Sequence, residues 1–121
     1  MNRNGIFRVE HLGSTAVVMP LRDPDELVFD ETQESEVASL LVRIAEGQTD
    51  NVIMDCERID RCCSSAIGFF LKIAKRIREK GGQILFCNVS VHLKEVFDML
   101  RLEKVFGICD TRDAAVAKIE T

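Results

Sequence analysis

Residues 51–68, NVIMDCERIDRCCSSAIG, decide the fold. Asn51 to Met54 is a short, mostly apolar run that ends at Asp55. Unbroken apolar character marks a strand covered on both faces, as in parallel sheets. A long helix is expected from about Ser64 to Lys80, with Ala66, Phe70, Ile73 and Ile77 along one side. Lys72, Lys75, Arg76, Arg78 and Lys80 crowd its second half, where those in the last turn suit the helix dipole. Gly81-Gly82 supplies the stop. Ser64 falls where an N-cap is expected, and a serine hydroxyl there satisfies an orphan amide, worth about 1 kcal/mol.

Downstream the pattern repeats. Ile84 to Val89 is a second buried strand. Ser90 caps a helix whose Leu93, Val96, Phe97 and Leu100 recur at i, i+3, i+4 and i+7, a stripe expected to face the sheet. Val105 to Cys109 is the last strand, and Thr111 caps a short final helix with Ala115 and Ile119 inward. Upstream, Ile6 precedes an alternation of Phe7 and Val9 with Arg8 and Glu10, which reads as a half-buried strand. Gly13-Ser14 turns the chain into an antiparallel partner, Thr15 to Leu21. An acidic, irregular stretch from Arg22 to Glu31 follows. Asp30 and Gln33 then stand at capping-box spacing before a helix striped by Val37, Leu40, Leu41 and Ile44 and stopped at Gly47. The order is ββαβαβαβα. Strict alternation after the first hairpin requires parallel strands joined by right-handed crossovers. The fold class is α/β, a mixed sheet of about five strands with about four helices.

The 121 residues fit one domain, residues 1–121, with a core that needs no staples. Hydrophobic residues make up 46% and charged residues 30%, which excludes disorder. The uncharged stretches Leu12 to Leu21 and Cys62 to Leu71 fall short of the roughly 20 residues of a membrane span. With 16 basic against 20 acidic residues, the net charge of −4 argues against nucleic acid as the main partner. The first ten residues, MNRNGIFRVE, carry no secretory signal, so a cytoplasmic location is expected. In that compartment the five cysteines, Cys56, Cys62, Cys63, Cys87 and Cys109, do not build a disulfide framework. They form no CxxC pair. Neither His11 nor His92 stands at a zinc spacing from them, so they read as small buried hydrophobes and no metal site is expected.

Enzymatic signatures are missing: there is no GxxxxGK[ST] loop and no GxGxxG. The two histidines are far apart and read as surface residues. Cys63-Ser64 suggests a nucleophile, but no base is in position to activate it. No catalytic residue, metal or cofactor is expected. The segment Asp60 to Gly68 stands out instead, because it joins the central strand to the longest helix. In open α/β sheets, function gathers at the carboxyl ends of the strands.

The run Val52-Ile53-Met54-Asp55, then Ile59, then Cys63-Ser64-Ser65-Ala66-Ile67-Gly68 resembles the STAS domain, and in particular the anti-sigma factor antagonists. Those proteins carry an apolar strand followed by Asp-Ser-Ser-Gly-Leu-Gly. The resemblance extends through Lys80-Gly81-Gly82, Cys87-Asn88-Val89, Val96-Phe97 and Leu102 to Val105-Phe106. Cys63 stands in place of the family's acid and Ala66 in place of its glycine. Asp30 stands for the aspartate of a Gly-x-Leu-Asp segment. The resemblance implies a binding switch rather than an enzyme. Ser64 would be the phosphorylated serine, with Ser65 as the neighbouring fallback. Cys63, Ser64, Ser65 and Asp30 would meet the partner. That partner would be an anti-sigma factor with serine-kinase activity, reset by a phosphatase, with no nucleic acid and no membrane insertion. The alternative is an unphosphorylated STAS adaptor in a transporter, lipid-transport or stress-signalling complex, with Ser64 as a helix cap alone.

Overall fold

The computed structural model describes residues 7–21, 42, 46–47, 49–59, 64–104 and 107–120. Five strands form one sheet in the order β1-β2-β3-β4-β5: β1 Phe7–Leu12, β2 Thr15–Pro20, β3 Asn51–Asp55, β4 Ile84–Cys87 and β5 Gly107–Cys109. β1 and β2 are an antiparallel hairpin, and every later pairing is parallel. Gly13, at φ 62°, supplies the positive dihedral that the two-residue turn needs at its first central position. Three α-helices are described, α1 Ser64–Glu79, α2 Val91–Met99 and α3 Arg112–Glu120, with a short 3-10 turn at Leu102–Lys104.

Alternation along the strands divides the core between the two faces of the sheet. Ala16, Val18, Val52, Met54, Ile84 and Phe86 point to the side covered by α1 and α2. Val17, Ile53, Leu85 and Cys87 point to the side where Ala115, Val116 and Ile119 of α3 pack. β3 is covered on both sides, as its continuous apolar run requires. From α1, Phe70, Ile73, Ala74 and Ile77 are buried; from α2, Leu93 and Phe97. Phe86 sits between Phe70 and Phe97 with edge-to-face ring centroids 5.2 and 5.3 Å apart, so β4 locks both helices.

The caps expected at Ser90 and Thr111 form. Ser90 Oγ accepts from the Leu93 amide at 3.1 Å, and Thr111 Oγ1 accepts from the Ala114 amide at 3.1 Å. At the end of α1, Gly81 adopts φ 79°, and the amides of Gly81 and Gly82 close onto the carbonyls of Arg78 and Ile77.

Three details differ from the expectation. β4 ends at Cys87 rather than Val89, because Asn88 turns to φ 54°, outside the extended region. Leu100 is 52% exposed instead of facing the sheet, while Val96 is half-buried. α2 ends at Met99, and Arg101 at φ 57° swings the chain so that Leu102 enters the core in place of Leu100. The helix expected before Gly47, with its stripe Val37, Leu40, Leu41 and Ile44, lies outside the described residues apart from Val42, which is helical. The Glu46 amide donates to the Val42 carbonyl at 2.9 Å, and Gly47 at φ 79° carries the stop.

Candidate functional site

β3 ends in the middle of the sheet at Asp55, and the following segment leads to Ser64. The first part of that segment is pinned to the core: Cys56 is buried, its amide donates to the Cys87 carbonyl at 2.9 Å, and Ile59 is buried beside it. Ser64 and Ser65 open α1 at this carboxyl edge of the sheet. The described part of α1 begins at Ser64, and residues 60–63 before it lie outside the described residues. Cys63 and Asp30, the other two expected partner-binding residues, lie outside the described residues.

The same edge holds a polar network built on Asp55. The residue is 1% exposed, and both carboxylate oxygens are occupied. Oδ1 accepts from the Glu57 amide at 3.1 Å and from Asn88 Nδ2 at 3.0 Å. Oδ2 accepts from Arg112 Nε at 3.1 Å, and Arg112 Nη1 continues to Glu10 Oε2 at 3.0 Å. One guanidinium thus spans from β1, over β2, to β3. Its planar fork suits two carboxylates at once. Desolvation opposes the charge on Arg112. The hydrogen bond and charge of Asp55, with those of Glu10, outweigh it and hold the guanidinium pKa above its ordinary value.

Cys87 neighbours Asp55 in the sheet register. Burial pushes its thiol up to about 12, and the Asp55 charge adds to the effect. That thiol stays protonated at neutral pH and is a poor nucleophile. The Asn88 amide donates to the Asp110 carbonyl at 3.3 Å, so the turns after β4 and β5 also close against each other. The network therefore ties together the segment leading to Ser64, the β4–α2 turn and the first turn of α3. Its chemistry is structural and electrostatic.

Asp55 was visible in the sequence as the polar end of an apolar strand. Arg112 carried a subtler signal: a cation at the first position of a helix opposes the dipole and needs a compensating carboxylate. Neither Glu10 nor Asn88 could be matched to that position without the sheet order. His11 and His92 are exposed and far apart in the fold, as expected for surface residues. Among the described residues no cluster of three or more His, Cys, Asp or Glu side chains is arranged to hold a metal ion. No described helix is long and apolar enough to cross a membrane.

Comparison with known proteins agrees with this architecture. The fold matches SpoIIAA, an anti-sigma factor antagonist, in its unphosphorylated form, with a TM-score of 0.78 and 21% identity over 94% of this chain and 96% of that one. It also matches the phosphorylated form of SpoIIAA from Bacillus, with a TM-score of 0.74 and 21% identity over 93% and 98% of the two chains. In sequence, the chain is 29% identical over 84 residues to BtrV of Bordetella bronchiseptica, which is assigned as an anti-sigma factor antagonist; the match covers 69% of this chain and 72% of BtrV. It is 27% identical over 77 residues to the anti-sigma F factor antagonist of Paenibacillus polymyxa, covering 64% and 66% of the two chains. The STAS domain family model matches residues 9–115, from the first strand into the last helix, and the chain belongs to the STAS domain family.

Proposed function

We propose that this chain is an anti-sigma factor antagonist, a binding module that sequesters an anti-sigma factor acting as a serine kinase and so frees a sigma factor. Ser64 is the phosphorylated position in this reading. One observation carries it: Ser64 begins α1 at the end of the segment that follows the central strand, at the carboxyl edge of a fold shared with SpoIIAA, a protein known both with and without phosphate. The names of BtrV and of the Paenibacillus polymyxa relative support the same role.

The physical chemistry suits a switch at this point. Free amides and the dipole at a helix N-terminus favour an anion, so a phosphate on Ser64 leaves the fold intact. It also adds about −1.5 to −2 charge at pH 7 to the surface offered to the partner, and like-charge contact or desolvation then breaks the complex. ATP and catalysis come from the kinase, and a phosphatase restores the hydroxyl. Cys63, Ser65 and Asp30 complete the partner-binding surface in this reading.

The test is incubation with the cognate anti-sigma factor and ATP, followed by mass spectrometry. One phosphate on Ser64 is expected, with Ser65 as the neighbouring site, together with loss of binding to the unmodified chain's partner. Absence of phosphate on both serines, with Ser64→Asp binding as tightly as wild type, overturns the reading.

A further inference from the structure

Cys87 and Cys109 are the last residues of two neighbouring parallel strands, and the register sets them side by side. Both side chains lie on the α3 face of the sheet, where Cys87 is in the core with Ala115 and Cys109 packs against it. The residues that follow hold the two strand ends together, since the Asn88 amide donates to the Asp110 carbonyl at 3.3 Å. Both thiols are free, Cys87 buried and Cys109 half-buried. Cys56 belongs to the core on the opposite face of the sheet. Adjacent strands run about 4.7–4.9 Å apart. That spacing falls inside the Cα separation of about 4.4–6.8 Å that a disulfide spans. The preferred Cβ separation is shorter, about 3.8 Å, so a bond between in-register neighbours is strained and easily reduced.

We propose that Cys87 and Cys109 form a reversible dithiol–disulfide site that is oxidised by a low-molecular-weight disulfide. Cys109 is the more accessible and reacts first. Its thiolate bonds to one sulfur of the oxidant, the oxidant's S–S bond breaks, and one thiolate leaves. Cys87 then gives its proton to water and attacks the Cys109 sulfur. The mixed S–S bond breaks and the second thiolate leaves. Two electrons pass from the protein thiols to the oxidant, whose two thiolates take up the two protons. Burial keeps the Cys87 thiol protonated at neutral pH, so its attack is the slow step. The new bond closes beside the Asp55 network. Cys87 is the register neighbour of Asp55, and Asn88, the next residue, donates to Asp55 Oδ1 at 3.0 Å. Oxidation therefore ties the end of β5, two residues before Thr111 caps α3, to the strand whose turn holds the buried carboxylate.

The experiment is incubation of the full chain with oxidised glutathione at mildly alkaline pH, followed by alkylation, trypsin digestion and mass spectrometry without reduction. Cys87 falls in the tryptic peptide 81–94 and Cys109 in 105–112, while Cys56 and the Cys62-Cys63 pair fall in other peptides. A glutathione adduct on Cys109 is expected first, then a link between peptides 81–94 and 105–112. Excess reduced glutathione should open that link again. Cys109→Ser should leave Cys87 unmodified, and Cys87→Ser should hold the adduct on Cys109 without closure. Cys109 is half-buried, so Cys109→Ser carries the test if Cys87→Ser fails to fold. An unmodified Cys109 overturns the proposal, as does an adduct on wild-type Cys109 that never closes. A link from Cys109 to peptide 62–72 in place of 81–94 also overturns it, and so does a link that excess reduced glutathione leaves intact.

Discussion

Arg112 Nε lies 3.1 Å from Asp55 Oδ2, so the first residue of α3 grips the last residue of β3 across 57 positions of sequence. Asp55 in turn holds the Glu57 amide at the start of the segment that leads to Ser64. The last helix and the candidate switch thus share one buried carboxylate.

Arg112→Ala leaves Asp55 buried with two neutral donors and no cation, and the loss should be roughly 3 kcal/mol. Arg112→Lys should recover only part of it, because an ammonium lacks the fork that reaches both carboxylates. Glu10→Gln should cost less than about 1 kcal/mol, since Glu10 is substantially exposed. Urea melts of the three variants give the ranking. Equal losses for Arg112→Ala and Glu10→Gln would contradict the central place of the buried pair.

Gly82 is needed for space. A Cβ at this position collides with the carbonyl oxygen of Asp50 and crowds Ile77. Backbone cannot yield as a flexible side chain can, so Gly82→Ala should destabilise by about 1–3 kcal/mol. Gly68→Ala, whose Cβ meets open space, is the matched control and should be neutral or stabilising. Thermal melts of both variants decide the point.

Thr49 is fully buried, and its Oγ1 has no hydrogen-bond partner among the described residues. An unsatisfied buried hydroxyl costs about 1–3 kcal/mol, and valine has nearly the same shape. Thr49→Val should therefore raise the melting temperature. Its backbone carbonyl, which accepts from Lys80 Nζ at 3.3 Å, is untouched by the change.

The Cys87 thiol sets an alkaline limit. The unfolded chain releases this proton near pH 9, whereas the folded chain retains it to about 12. Between those values the unfolded state binds fewer protons, so stability falls as pH rises. Cys87→Ala should flatten that part of the stability profile. At pH 8 a mild alkylating reagent should modify half-buried Cys109 well before Cys87. Faster labelling of Cys87 would show that its burial is not maintained in solution.

Period and punctuation carried most of the fold. Val52-Ile53-Met54 reads as a two-sided strand because no polar residue interrupts it, and Ser90 and Thr111 read as caps because their hydroxyls have nearby amides to satisfy. Leu100 misled because helical periodicity says nothing of where a helix stops, and the positive φ of Arg101 diverts the stripe to Leu102. The polar network was less accessible. Glu10, Asp55, Asn88 and Arg112 lie on β1, on β3, in the turn after β4 and on α3, and only the order β1-β2-β3-β4 brings them together. Ser64 could be singled out by its junction and its motif, while its role depends on a partner.

Ser64 offers a test that separates stability from binding. Because α1 begins at Ser64, this residue stands in the first turn, where an acidic side chain is favoured by the dipole and the free amides. Ser64→Asp should therefore gain about 0.3–1 kcal/mol in a thermal melt. α1 has no acidic residue of its own in that turn to share the effect. Ser64→Ala should change stability by less than about 1 kcal/mol, since it adds no charge. In a calorimetric titration with the cognate anti-sigma factor, the order should reverse. Ser64→Ala should bind like the unphosphorylated wild type, while Ser64→Asp, with its added charge on the proposed contact surface, should bind at least tenfold more weakly. A variant that is both more stable and a poorer binder cannot be explained by damage to the fold. If Ser64→Asp retains full affinity, the carboxyl edge around Ser64 is not the contact surface, whatever the kinase does to the serine.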